Sequence, residues 1–474
     1  MRRIGHSWTI LAILALMATL STAALAEGDP SRLRGSTRSE KDGWIFVHLE
    51  GAPERLGYQH GYLLADEIGD LLRVTRPFLA RTTRHDWSFY RKASEEMLWK
   101  GIDDEYRREI DAIVEGMADR GVKADRWDLV ALNAIMELPY YYVPWLDKKA
   151  GKTPETHPPG NCSAFIATGS YTTDGKIVMG HNNWTGYIIG TRWNIVFDLA
   201  PENGQRFLMD GLPGVITSDD DFTVNSAGLV VTETTITQFE GWDPDGKPEF
   251  VRSRKALQYS KSIDDFVRIM LEGNNGGYAN DWLIGDIKTG EIAHFELGLK
   301  EHTLKRTKDG SFVGSNFPEG AALIKNETKF DPSNLGSSPN ARRKRWGQLM
   351  DQHKGKIDVE LAKTLETDVH DAFEGKLGAN ERTLTGMVET SPRGVPEWDW
   401  PPFYPGGTVQ SKVIDATMAA KMELWAAIGH HNAPDFVAAD FLKARPEYGW
   451  MKDLLKDMPS RPWSKFAAEK GDGR

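Results

Sequence analysis

The run Asn161-Cys162-Ser163-Ala164-Phe165-Ile166-Ala167-Thr168-Gly169, followed by Gly180-His181-Asn182-Asn183-Trp184, decides how this chain is read. Cys162 is the single cysteine among 474 residues. It forms no internal disulfide, so its thiol is a candidate nucleophile. Ser163 to Ala167 and Lys176 to Met179 read as strands, and the Thr173-Asp174-Gly175 turn between them predicts a β-hairpin with the sulfur at its outer end. A free thiol, with a pKa of about 8.5, needs a base or a lowered pKa. Two designs are open. His181 could act on Cys162 with Asn182 or Asn183 orienting the ring, or the Asn161–Cys162 bond could be cut so that the new α-amine, pKa about 8, serves as the base. The second makes sense of the Pro158-Pro159-Gly160-Asn161 stretch just upstream, which ends a segment from Asp147 rich in Lys, Thr, Pro and Gly and reads as an exposed loop.

Outward from this run, Met1-Arg2-Arg3, the apolar stretch Trp8 to Leu20 and Ala24-Leu25-Ala26 read as an export signal over residues 1–26, with a mature start near Glu27. The apolar stretch falls short of the roughly 20 residues of a membrane span. The expectation is an exported protein, periplasmic or secreted, with no transmembrane span. A net charge of -10 with both signs dispersed excludes a nucleic-acid binder, which needs a basic stripe. The 16 tryptophans suit an apolar acyl or ring pocket.

From Arg55 to Tyr142 apolar residues recur at three and four (Leu63, Leu64, Ile68, Leu71, Leu72; Ile110, Ile113, Val114, Met117), with Gly57, Gly61 and Gly121 as punctuation. Residues 27–161 are thus expected to be a mainly helical segment, and residues 162–474 a catalytic domain. After Cys162, short β-rich runs alternate with turns: Trp193 to Leu199, Arg206 to Met209, Phe222 to Val224, Leu229 to Thr237, Trp282 to Gly285, Ile292 to Glu296 and Thr303 to Arg306. Helical periodicity returns at Ile263 to Leu271 and Arg342 to Leu365. Strands and helices do not alternate regularly, so packed antiparallel sheets flanked by helices are expected. Gly375 to Gly407, rich in Gly, Pro and Trp, reads as a long ordered loop covering something.

The Cys162 and His181 runs, together with Gly214 to Phe222, Gly228 to Thr235 and Gly276-Gly277-Tyr278-Ala279-Asn280-Asp281-Trp282, resemble the phospholipase B-like proteins from about Leu56 to Trp463. That family of N-terminal nucleophile hydrolases is similar to the penicillin acyltransferase and choloylglycine (bile-salt) hydrolase group. The resemblance implies an α+β fold, a four-layer αββα sandwich with an N-terminal helical segment, matured by self-cleavage before Cys162, the helical part staying docked. It implies Cys162 as nucleophile, Asn316 of Ser315-Asn316-Phe317-Pro318 as oxyanion donor, and Arg345, or alternatively Arg342, as the helix-borne arginine near the thiolate. His181, Asn183, Trp184, Thr234 and Thr235 are placed by the same resemblance around the site. The chain departs from the bile-salt hydrolase Gly-Arg-Asn-x-Asp pattern at His181 and Asn183, where Asn183 stands in for the aspartate that holds the α-amine.

No cofactor and no metal are expected. Asp219 to Asp221 reads as a solvated turn, since no histidine cluster or paired-carboxylate spacing accompanies it. His430 and His431 would point apart on a helix. The function expected is hydrolysis of a linear amide in an N-acylated small molecule or lipid. Phospholipase B-type ester cleavage and a non-catalytic ligand binder that kept the fold are the alternatives.

Overall fold

The computed structural model describes residues 28–154, 162–219 and 221–469. The expected export signal through Ala26 and the Pro158 to Asn161 stretch lie outside the described residues. Nine strands form one sheet in the spatial order Thr37–Lys41, Trp44–Gly51, Ile195–Pro201, Phe207–Gly211, Phe222–Asn225, Leu229–Thr235, Asn280–Asp286, Glu291–Leu297, His302–Thr307. Six form a second: Gly310–Gly314, Ser163–Thr168, Val178–Gly186, Gly406–Asp415, Glu423–Ile428, Ser464–Ala467. Neighbours are antiparallel except Trp44–Gly51 beside Ile195–Pro201, which is parallel.

The period of two along each strand builds the layers. Ala164, Ile166 and Met179 of the hairpin enter a core shared with Val196, Leu208, Phe222 and Leu283 of the larger sheet. Phe165, Ala167 and Val178 face the other way, onto Trp346 and Leu349 of helix Ser338–Gln352 and Leu365 of helix Val359–Glu366. On the far side of the larger sheet, Val47, Phe197, Val231 and Ile284 are buried with Leu56, Ile68 and Ile113 of helices Pro53–Leu63, Ala65–Thr83 and Asp104–Asp119. Helix, sheet, sheet, helix is the αββα sandwich expected.

Residues 28–154 are mainly helical, but they are not a unit apart. Thr37–Lys41 and Trp44–Gly51 are stitched into the larger sheet. Three links add to this: the buried pair Glu109 with Arg254 at 3.0 Å, the half-buried pair Asp70 with Arg192 at 2.8 Å, and the buried Gly214 N–H donating to His60 Nε2 at 2.8 Å. Arg342 to Leu365 forms two helices rather than one continuous stretch, parted near Gly355, where φ is 77°.

Gly57 and Gly61 do not punctuate a helix. They lie inside Pro53–Leu63, where a Cβ on Gly61 would stand 2.0 Å from the Ile113 carbonyl oxygen of the adjacent helix. The two helix backbones touch there, and no flexible side chain can yield. Gly61→Ala is therefore expected to destabilise the protein by about 3 kcal/mol through overpacking, measured by urea unfolding; an unchanged midpoint would contradict this contact.

Candidate active site

Cys162 immediately precedes strand Ser163–Thr168, with φ at 84°. That left-handed conformation costs a non-glycine residue on the order of 1 kcal/mol or more. The side chain is 2% exposed, yet its surroundings are polar. Glu233 Oε1 lies 3.5 Å and Asp221 Oδ1 3.8 Å from the sulfur. Burial, reinforced by the Glu233 and Asp221 carboxylates, pushes the thiol well above its usual range. A thiolate paired with an imidazolium needs the opposite surroundings.

The hairpin register sets His181 opposite Ala164, and on its other side opposite Lys412 of strand Gly406–Asp415. Met179 and Ile414 belong to the inter-sheet core, so His181 and Lys412, two residues away on each strand, also point between the sheets. There His181 Nε2 lies 3.3 Å from Asp221 Oδ1. Lys412 Nζ donates to Asp210 Oδ2 at 3.0 Å and makes a short bond to Asp221 Oδ2. Burial pulls the His181 pKa down to about 3, which leaves the ring neutral and a poor base. Burial works against ionisation of Asp221, but the Lys412 ammonium more than offsets it and holds its carboxyl low. Asp210, buried and beside Asp221, is pushed well above the carboxylate range.

Asn182 does not orient the His181 ring. Its Nδ2 donates to the carbonyls of Glu366 and Leu384, on the helical side of the sheet. Asn183 is buried on the His181 face, and its Nδ2 has no hydrogen-bond partner among the described residues. The Trp184 indole donates to the Leu384 carbonyl at 3.0 Å.

Arg345 is a correction. It pairs with Asp368 at 2.6 Å, both side chains 16% exposed, away from the sulfur. Arg342, one turn earlier on Ser338–Gln352, is wholly buried and reaches the site instead. Its Nη1 donates to the Cys162 carbonyl at 2.6 Å and its Nη2 to Asn316 Oδ1 at 2.8 Å. Its guanidinium stacks 4.4 Å over Trp184 and 5.4 Å from Trp398. Burial lowers its pKa to about 9, still cationic at neutral pH. Asn316 Nδ2 donates to the Thr235 carbonyl at 2.9 Å, the Asn316 N–H to Thr234 Oγ1 at 3.4 Å, and Thr235 Oγ1 to Glu233 Oε2 at 3.4 Å. Cys162, Asn316, Arg342, Trp184, Thr234 and Thr235 thus share one bonded neighbourhood. The Gly375 to Gly407 loop covers it, through Trp398 packed on Trp184 and donating to Thr237.

Two readings made from residue types alone change. Asp219 and Asp221 are 2% and 1% exposed, so neither is solvated; Asp220 between them lies outside the described residues. His430 and His431 follow strand Glu423–Ile428 and are not helical. His430 instead accepts from or donates to the Tyr187 hydroxyl at 2.9 Å. Asp221, Glu233, Lys412 and Tyr278, whose hydroxyl donates to Glu233 Oε1 at 3.1 Å, were not anticipated at the site. They come from separate strands and loops, and no local spacing joins them. Nearby, Tyr140, Tyr141, Trp145 and Phe239 line a cavity of about 100 Å³. Burial, reinforced by the Glu233 carboxylate, raises the pKa of the Tyr141 phenol.

The family model Phospholipase B matches residues 75–312. An uncharacterized protein of Archaeoglobus fulgidus is 24% identical over 430 residues, 81% of this chain and 68% of that protein. Phospholipase B-like protein F of Dictyostelium discoideum is 31% identical over 27% of this chain, and putative phospholipase B-like 2 of Rattus norvegicus 30% identical over 27%; each match spans 24% of the relative's own length. Among solved structures, a conjugated bile acid hydrolase variant from Clostridium perfringens covers 56% of this chain and 89% of its own at 14% identity, with a TM-score of 0.34. No helix of the described residues is long and apolar enough to cross a membrane.

Proposed function

We propose, from the premise that this chain belongs to the phospholipase B family of hydrolases, that Cys162 is an N-terminal nucleophile freed by cleavage of the Asn161–Cys162 bond. The observation that carries this reading is the pair of carboxylates, Glu233 and Asp221, within 3.8 Å of the sulfur. In the intact chain they oppose a thiolate. In a cleaved chain the neutral α-amine of the same residue is the base that takes the thiol proton, and the ammonium so formed gives the carboxylates a cationic partner. The strained φ of Cys162 supports the reading, because cleavage removes the constraint of the preceding peptide.

The proposed cut begins with Cys162 Sγ attacking the Asn161 carbonyl carbon. The C–N bond breaks, the α-amine takes the proton, and water hydrolyses the thioester to leave an Asn161 carboxylate and the free thiol. In turnover the sulfur attacks a substrate acyl carbonyl while its proton passes to the α-amine. The resulting ammonium returns that proton to the leaving group, and water releases the acid from the thioester. Donors for the oxyanion are Asn183 Nδ2 and the Asn316 amide, each of which is expected to contribute on the order of a hundredfold in rate.

Amide cleavage in an N-acylated small molecule or lipid is the substrate class we favour. An amine is a poor leaving group until protonated, and an ammonium carried by the nucleophilic residue itself is placed to protonate it. The aromatic cavity of Tyr140, Tyr141, Trp145 and Phe239 suits the acyl part. The family's name favours a second reading, ester cleavage of a phospholipid. Incubation with matched fatty acyl amides and glycerophospholipids, followed by acid quench and mass analysis, tests both. The expected result is an acyl adduct on the Cys162 fragment and release of free amine. Release of glycerophosphodiester alone would replace the amide reading, and neither product from either class would sink the hydrolase mechanism. Export of the chain and continued docking of residues 28–154 after cleavage belong to the same proposal.

A further inference from the structure

Four donor groups converge at the thiol: Cys162 Sγ, His181, Asp221 and Glu233, all buried, with one ligand atom from each lying within 4.8 Å of the others. Three of the separations are 3.3 Å (His181 Nε2 to Asp221 Oδ1), 3.5 Å (Cys162 Sγ to Glu233 Oε1) and 3.8 Å (Cys162 Sγ to Asp221 Oδ1). Zinc bonded to sulfur at about 2.3 Å and to nitrogen or oxygen at about 2.0 Å sets tetrahedral ligands about 3.3 to 3.6 Å apart, so these edges fit and the widest pair closes by roughly 1 Å. An independent observation points to a cation. His181 is 0% exposed and neither ring nitrogen has a hydrogen-bond partner, although Nε2 is aimed at the Asp221 oxygen.

The surrounding groups are those a metal site uses to hold its ligands. Lys412 bonds Asp221 Oδ2 and leaves Oδ1 facing the centre, and the Tyr278 hydroxyl donates to Glu233 Oε1. With the α-amine of Cys162 neutral or still in the peptide bond, a thiolate, two carboxylates and the Lys412 ammonium leave two negative charges, which a divalent cation neutralises. We propose that Cys162, His181, Asp221 and Glu233 form a binding site for a zinc-class divalent cation. With the sulfur as a ligand, the cation withholds the nucleophile and acts as an inhibitor. On binding, the thiol proton leaves to solvent and no redox change occurs.

The full chain, stripped with chelator, is titrated with Co²⁺ alone and then with Zn²⁺. The expected result is one equivalent bound per chain with a thiolate-to-cobalt charge-transfer band in the near ultraviolet and tetrahedral visible bands, both abolished by Zn²⁺. Cys162→Ser, checked for an unchanged melting temperature, should lose the charge-transfer band, and Glu233→Gln should weaken binding at least about tenfold. Should Glu233→Gln fail to fold, His181→Gln takes its place. Absence of the band from the wild-type chain, or its persistence in Cys162→Ser, would overturn the proposal. Because the readout is metal binding, it stands or falls separately from cleavage and turnover.

Discussion

Cys162→Ala is expected to give one uncleaved chain and at least about a thousandfold loss of hydrolysis, the scale on which nucleophile removal acts when binding and oxyanion donors remain. The substitution removes the group that cuts the chain and the group that attacks substrate, so both readouts fail together. The fold should persist. Cys162 makes a small contribution to packing, while the sheet pairing of Trp44–Gly51 with Ile195–Pro201 and the Glu109–Arg254 pair hold the two parts in the intact chain as well. Cys162→Ser retains a weaker nucleophile in the same place and should process slowly, which separates cutting from turnover. A normally processed, fully active Cys162→Ala protein would exclude the mechanism.

Arg342→Ala carries the second large effect, with Arg345→Ala as its contrast. Removing the Arg342 guanidinium leaves the Cys162 carbonyl and Asn316 Oδ1 without their donor, empties the space beside Trp184 and Trp398, and withdraws a buried positive charge from beside the sulfur. A loss of about 3 kcal/mol or more in stability is expected, together with at least about a hundredfold in kcat/KM. Arg345→Ala breaks a partly solvated pair with Asp368 and should cost no more than about 1 kcal/mol, with activity retained. Urea unfolding and steady-state kinetics on both variants check this, and the reverse ranking would contradict the site geometry.

How much of this was legible in the sequence follows from where the information sits. The hairpin was legible because two short apolar runs, Ser163 to Ala167 and Lys176 to Met179, flank the Thr173-Asp174-Gly175 turn, and the strands from Ile195 to Thr307 because turn residues bracket β-rich runs. Strand Gly406–Asp415 is not legible as a strand, and only its first two residues fall in the loop read from Gly375 to Gly407. Its interior carries Thr408, Gln410, Ser411 and Lys412, all buried, and polar side chains bonded on both faces, Lys412 to Asp221 and Ser411 to Asn182, mask the apolar pattern of a central strand. The same masking hid Asp221 and Glu233, whose burial is set by partners far away in sequence. Choosing Arg345 over Arg342 was a matter of helix phase: residues three apart differ by about 60° around the axis, and only packing on Trp346 and Trp184 fixes which one turns inward. Gly57 and Gly61 were visible, but their meaning was a helix contact that local sequence does not encode.

Intact-mass analysis with N-terminal sequencing of the purified protein tests the central claim most directly. Two associated polypeptides, the second beginning at Cys162 with a free α-amine, are the predicted result. A single polypeptide running unbroken through Asn161 and Cys162 in a preparation that hydrolyses substrate would contradict it.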